Sequence, residues 1–330
     1  MRLPKFIAVS VIILCLNHVV FAKDLFAYVT NEQLDIESNI ASNCFRNLQQ
    51  AFDFLLERQS QYDKLIILVE QGSYYDQKLI ISEQLQKQLI IKAKQKTARP
   101  VFDGNNRQPE WIKFLPHNHG IGKVEINGLE ITNYLTAISF NGNRDTMNEY
   151  NGDNIIKDNI FRNIGQFSNS NKPSTAAIRF VNSRNNKIIN NQFINIKNID
   201  KCGMLHSIYF ASNSSNNVVA DNVFEDGCGA TIKVRDSSND NIIEKNIFKD
   251  QTQAVLLDAY CDKDNRTDCT KQQTECPSWN NLFLNNVLES SFIGHGKKII
   301  QINLENYLPH MCKIPLGRKR VIELKTTVSK

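Results

Sequence analysis

The sequence predicts an all-β solenoid, a chain wound into coils of short strands that stack on one another. Three observations carry this expectation. A ten-residue pattern recurs as "GDNIIKDNIF" (152–161), "RNNKIINNQF" (184–193), "SNNVVADNVF" (215–224), "NDNIIEKNIF" (239–248) and "WNNLFLNNVL" (279–288). The apolar residues around it alternate with period two, the signature of strands rather than helices. The shortest interval between copies is 24 residues, from Asn222 to Asn246, which suits one coil of a stacked repeat.

The elements follow in chain order. Residues 1–22, "MRLPKFIAVSVIILCLNHVVFA", carry Arg2 and Lys5, then an apolar run from Phe6 to Leu16, and end in Val20-Phe21-Ala22. That is the layout of a cleaved export signal, and the apolar run is too short for a comfortable membrane span. A secreted or periplasmic protein without membrane insertion is expected. Residues 35–60 should form an N-terminal capping helix, because Phe45, Leu48, Ala51, Phe52 and Leu55 fall at helical spacing. Such a helix would cover the open end of the first coil. Coils should occupy 61–290, and the basic, strand-like segment 291–330 should pack as a C-terminal cover. That segment has no aromatic platform for nucleic acid. Hydrophobic residues make up 41% of the 330-residue chain and charged residues 22%, enough burial to exclude global disorder. The net charge of +5 is a mild basic bias, compatible with an acidic partner.

Within the repeat, Asn159, Asn191, Asn222, Asn246 and Asn286 form a column. Asn suits a corner because it tolerates left-handed backbone angles, and stacked amides can bond from coil to coil. Short strands alternate with these units: "TAISF", "TAAIRF", "HSIYF", "ATIKV" and "QAVLL". Alternation places Ile178, Phe180, Ile208, Phe210, Ile232, Val234, Val255 and Leu257 inside.

The order of amphipathic helix, "LIILVEQGSYYDQ", "LIIKAK", "VFDGNN" and Asn-rich coils resembles the right-handed single-stranded parallel β-helix of the pectin-lyase-like superfamily. The resemblance spans roughly residues 35–290. It implies that fold, and it leaves function open, since the superfamily includes lyases, hydrolases, epimerases and non-catalytic adhesins.

The coils swell unevenly. Asn159 to Ile178 takes 19 residues and Asn191 to Ile208 takes 17, against 10 from Asn222 to Ile232. "QFSNSNKPST" and "NIDKCGML" therefore bulge at one corner. At the opposite corner "NGNRDTMNEYNGD" and "YCDKDNRTDCTKQQTECPSW" bulge as well. Insertions on both edges of one strand face make a groove, and bulges in repeat scaffolds collect on the functional side. By alternation Arg179, Tyr209 and Lys233 should form an outward column on that face, with Ala211, Arg235 and Asp258 in the next. His206 sits where a bulge re-enters the strand, a place where alternation slips. It either faces the groove or is buried against backbone.

Two guanidiniums, an ammonium, a phenol and an imidazole on one strip suit an anionic polysaccharide, with uronates the leading class. β-Elimination on a uronate needs a cation at the carboxylate, a base for the adjacent proton and an acid for the leaving oxygen. Lys233 is the candidate base if Arg179 and Arg235 lower its pKa. Tyr209 or His206 is the candidate acid or the alternative base, and Arg235 or Arg179, with Asp258, would bind substrate. This resembles the chemistry of β-helix polysaccharide lyases, carbon–oxygen lyases acting on polysaccharides, although no complete lyase motif is present. Uronate epimerisation, or glycan binding without catalysis, uses the same groups. The polygalacturonase-like motif Gly294-His295-Gly296 lies off the strip.

Seven cysteines follow the export signal. A Cys202–Cys228 bridge would fix the bulge beside His206. Cys261, Cys269, Cys276 and Cys312 could form two more bridges. Zinc at Cys261, Cys269 and Cys276 is the alternative, although their spacing lacks a C-x2-C element. No cofactor is expected. Calcium could be held by Glu225, Asp226 or Asp258, yet no dense acidic loop supports it. The protein is expected to be a monomer.

Overall fold

Backbone alternation and a tight corner together set the coil. The computed structural model describes residues 23–31, 43–82, 85–116, 123–168, 172–261, 275–289, 299–302, 312 and 315–329. Residues 1–22, expected as an export signal, and Gly294-His295-Gly296 lie outside these residues. Each coil gives one strand to each of three parallel sheets. One coil supplies Lys187–Ile189 to sheet one, Gln192–Ile196 to sheet two and His206–Ala211 to sheet three. The next supplies Val218–Ala220, Val223–Gly227 and Ile232–Val234. The register aligns equivalent residues: Ile188 with Val219, Phe193 with Phe224, Ile208 with Ile232.

The Asn column is a ladder of side-chain amides buried at the corner between sheets one and two. Asn191 Oδ1 accepts the backbone N–H of Asn159 at 3.0 Å, and Asn222, Asn246 and Asn286 repeat this at 2.8, 3.0 and 2.9 Å. A second ladder, absent from the sequence expectation, runs through Asn154, Asn186, Asn217, Asn241 and Asn281. The left-handed angle is not on the ladder residue itself. It falls on the residue before: Asp158, Asn190, Asp221, Lys245 and Asn285, with φ from 50 to 58°. The labour is divided because the αL residue turns the chain outward to solvent, while the following Asn points inward and satisfies backbone groups that no strand pairs.

An aromatic file runs along the inside of the coils, mostly on sheet two. Phe161, Phe193, Phe224, Phe248 and Phe283 stack at centroid separations of 4.9, 4.8, 5.0 and 6.0 Å. Phe114, Phe140, Phe180 and Phe210 stack similarly inside sheet three. The separations follow the inter-strand spacing of about 4.8 Å, and each buried ring contributes about 1.5–3 kcal/mol.

One inward assignment is corrected. Leu256 pairs with inward Ile232, and Asp258 with inward Val234, so Leu257 faces out beside Lys233. Val255 is also buried, at the strand entry. The bare coil keeps a constant step: ten residues separate Asn222 from Ile232, and the same step from Asn246 ends at Leu256. Asp258 is therefore fully buried rather than exposed in the groove. It survives there because Arg320 Nε donates to its Oδ2 at 2.6 Å, the pairing a buried charge requires.

The ends fit the same plan. The capping helix is Leu48–Arg58, its first turn closed by Asn47 accepting from the Gln50 N–H, with Leu48, Ala51, Phe52 and Leu55 buried. Strand Asp24–Val29 precedes it and pairs with Lys64–Val69, so winding begins before the cap. The segment expected as a cover supplies another coil: Ile300–Ile302, Val321–Leu324 and Thr327–Ser329 extend the three sheets.

Replacing Asn222 by Ala should strand the buried Asn191 N–H and the carbonyls of Ile188 and Ala220. The expected loss is about 3 kcal/mol or more, read from urea midpoints at constant m-value. Lys245→Gly, at a φ of 54°, should instead be neutral or stabilise by up to about 1 kcal/mol.

Candidate functional site

The outer face of sheet three carries one file of side chains set by register: Lys113, Ser139, Arg179, Tyr209, Lys233 and Leu257. The expected Arg179–Tyr209–Lys233 column lies within it. The file divides into two clusters, each organised by a glutamate that the sequence reading did not place there.

In the first, Glu110 Oε1 accepts from Ser139 Oγ at 2.8 Å and from Arg179 Nη2 at 3.1 Å. Lys113 Nζ reaches Glu110 Oε2 at 3.2 Å. Glu110 gets there because Trp111 turns inward onto Phe102, which breaks alternation at the start of strand Glu110–Phe114. A cleft of about 360 Å³ opens beside this cluster, lined by Lys113, Asn141, Arg144, Asp145 and Arg179.

In the second, Glu275 forms a bidentate pair with Arg235, Oε2 to Nε and Oε1 to Nη2, both 2.6 Å. Its Oε2 also accepts the Cys261 N–H at 2.9 Å. Arg235 Nη1 donates to the Tyr209 hydroxyl at 3.3 Å, and Lys233 Nζ lies 5.5 Å from the centre of the Tyr209 ring. Burial pulls the Arg235 guanidinium down, but the Glu275 hydrogen bonds outweigh it, and the group is held above its ordinary value. Burial raises the Tyr209 phenol and Arg235 only partly offsets this, so the phenol is protonated at neutral pH.

His206 does not face the groove. It is 3% exposed, and its Nδ1 lies 2.6 Å from the Ala230 carbonyl. A carbonyl only accepts, so Nδ1 carries the hydrogen. Burial, reinforced by Lys233, lowers its pKa to about 3, and its ring packs against Tyr209 at 5.8 Å. His206 is the buried, backbone-bonded histidine of the two readings. The strand keeps its alternation here because the bulge ends one residue earlier, at Leu205.

Both borders of the face are pinned. On one side Cys202 and Cys228 are bridged, and Gly229 passes so close to the Leu205 carbonyl that a Cβ would lie 1.9 Å from it. Asn198 Oδ1 accepts from the Gln166 and Ser174 N–H groups, clamping the neighbouring insertion. On the other side Asn182 Nδ2 donates to the Asn143 carbonyl at 2.7 Å, and Arg184 to Met147 at 2.8 Å. Glu275 enters from the second insertion there, beside the Cys276–Cys312 bridge.

Of the expected site residues, Tyr209, Lys233 and Arg235 converge, and Arg179 lines the adjoining cleft while paired to Glu110. Asp258 and His206 are interior. The zinc alternative is overturned, since Cys276 is bridged to Cys312 and Cys261 is disulfide-bonded as well. Cys269 lies outside the described residues. For calcium, Asp226 pairs with Lys197 and Asp258 with Arg320. Among the described residues no cluster of three His, Cys, Asp or Glu could hold a metal. Alternation within "EWIKF" and "TAISF" points Lys113 and Ser139 outward. Glu275 follows an insertion in the repeat, where no periodicity points to it.

The family model described as "Right handed beta helix region" matches residues 116–270. With three stacked parallel sheets, the chain folds as a right-handed parallel β-helix. Solved structures similar to it include mutants of the tailspike protein of E. coli bacteriophage HK620. One, in complex with a hexasaccharide, is 10% identical with a TM-score of 0.48, covering 89% of this chain and 56% of its own. Another, in complex with a pentasaccharide, is 10% identical with a TM-score of 0.48, covering 87% and 55%. A third is 11% identical with a TM-score of 0.45, covering 73% and 46%. The chain thus spans about half the length of these tailspikes. No curated protein matches it.

The depressed His206 pKa fixes a pH dependence. The unfolded imidazole takes a proton near 6.5, the folded one only near 3. Its contribution is complete above pH 6.5 and is lost as pH falls from there towards 3. Unfolding free energies measured across that window should fall more shallowly in His206→Gln than in the wild type.

Proposed function

We propose that this β-helix is an exported carbohydrate-active protein that binds an acidic, uronate-containing polysaccharide along the outer face of sheet three and cleaves it by β-elimination. The carrying observation is the contact of the Tyr209 hydroxyl with the Arg235 guanidinium beside Lys233, between two walls of insertions. The file of Lys113, Arg179 and Lys233 supplies positive charge along the face, and successive rungs about 4.8 Å apart suit an extended chain ligand. The disulfides fit an oxidising compartment.

In this reading Arg235 does not bind substrate, because Glu275 already matches its fork. It positions Tyr209. Lys113 and Arg179 face the substrate carboxylate, and withdrawing charge from it acidifies the adjacent C–H. Lys233 Nζ serves as the base and takes that proton. The C–H electron pair becomes the carbon–carbon double bond, the C–O bond breaks, and the leaving oxygen takes the Tyr209 proton. Proton transfer through water from the Lys233 ammonium to the phenolate restores both groups. His206 supports the Tyr209 ring from behind.

A second reading, binding without cleavage, is favoured by the same Arg235–Glu275 pair, which leaves less charge to polarise a substrate. Incubating the protein with alginate, pectate and glycosaminoglycans separates the two. Elimination should give the ultraviolet absorbance of an unsaturated uronate. Lys233→Ala and Tyr209→Phe should lower kcat about 100-fold or more, with affinity changed only a few-fold. Salt-sensitive binding without absorbance would establish the second reading, and no binding to any acidic polysaccharide would sink both.

A further inference from the structure

A second cleft, of about 510 Å³, lies at the corner between sheets one and two, away from the sheet-three file. Its walls carry five cations: Lys92, Lys94, Lys96, Arg99 and Lys157. Register stacks Lys92, Asn127 and Lys157 on successive rungs of sheet one. Two of the five are paired, Lys94 with Glu70 and Lys157 with Glu125. The Asp158 carboxylate, also on the wall, accepts from Asn190. Lys92 and Lys96 have no ion-pair partner among the described residues. Arg99 uses Nη1 on the Leu129 and Asp158 carbonyls and no carboxylate, so its charge is fixed in place but not neutralised.

The cleft exists because this corner lacks a side chain. Gly128 precedes Leu129, whose N–H bonds to Asn159 Oδ1. It therefore holds the left-handed position (φ 75°) that Asp158, Asn190, Asp221, Lys245 and Asn285 fill on later coils. Lys92, Lys96 and Arg99 outnumber the one unpaired carboxylate on the wall, Asp158, so the bare corner keeps net positive charge and is built to receive an anion. The volume exceeds that of a bare oxyanion and falls within the range of about 300–1,000 Å³ typical of small-molecule sites.

We propose that this corner is a second binding site, taking a small ligand that carries a phosphate or sulfate ester, such as a modified sugar. A doubly charged tetrahedral group would sit among Lys92, Lys96 and Arg99, and the remaining volume would hold the body of the ligand over Gly128.

Calorimetric titration of the intact protein with glucose 6-phosphate, glucose 6-sulfate and uncharged glucose tests this. At least one ester should bind saturably and more weakly as salt rises, and the better of the two identifies the group. Glucose should not bind. Lys92→Gln/Lys96→Gln changes one half-buried and one exposed side chain and should weaken binding tenfold or more, with thermal unfolding unchanged. Lys233→Ala, in the other face, should bind as the wild type does. The site is refuted by absence of saturable binding for both esters, by glucose binding as well as they do, or by undiminished affinity in the double variant.

Discussion

The structure depends on one hydrogen bond repeated from coil to coil, the Asn side-chain oxygen accepting the backbone N–H of the equivalent Asn one turn earlier. Corners are where a β-helix leaves backbone groups unpaired, since no strand runs there. A buried donor left unmade costs about 1–3 kcal/mol, and the ladder removes that cost at each turn. It also fixes the phase of winding. With both ladders seated, each strand between them has its inner and outer faces determined, and a slip of one residue would invert them.

That phase is what assembles the sheet-three file. Arg179, Tyr209 and Lys233 are separated by 30 and 24 residues in sequence yet stand on adjacent rungs. The corner insertions then supply what the coil cannot. Glu275 arrives from a loop to hold Arg235, and Glu110 reaches across from the strand start to hold Arg179. Glu275 fills the Arg235 fork, a geometry that favours positioning of Tyr209 over direct capture of an anion, whereas Arg179 gives Glu110 only its Nη2.

Much of this was legible from residues alone. Period two, the Asn column and the uneven spacings reveal the solenoid, the swollen corners and the outward residues of three consecutive strands. Legibility failed where a rule was local and the structure was not. Alternation counted from Val255 puts Asp258 outside, whereas the constant ten-residue step from the ladder counts from Leu256. The αL corner was assigned to the buried Asn, because Asn tolerates both roles. Only tertiary contact reveals that its predecessor turns the chain, even when that predecessor is Lys245. Glu110 escaped because Trp111 swings into the core, and Glu275 because loop paths carry no periodicity.

The Cys202–Cys228 and Cys276–Cys312 bridges have a mechanical consequence. A solenoid touches only its neighbouring turns, so tension applied at either terminus would peel it rung by rung. Cys202–Cys228 ties one turn to the next, and Cys276–Cys312 ties the final turns together. Peeling from the C-terminal end meets the second staple almost at once. From the N-terminal end it runs unopposed by a covalent link, among the described residues, until it reaches the first. The polypeptide is therefore a rope whipped at one end and in the middle, and the turns bearing Tyr209 and Lys233 lie between the bindings.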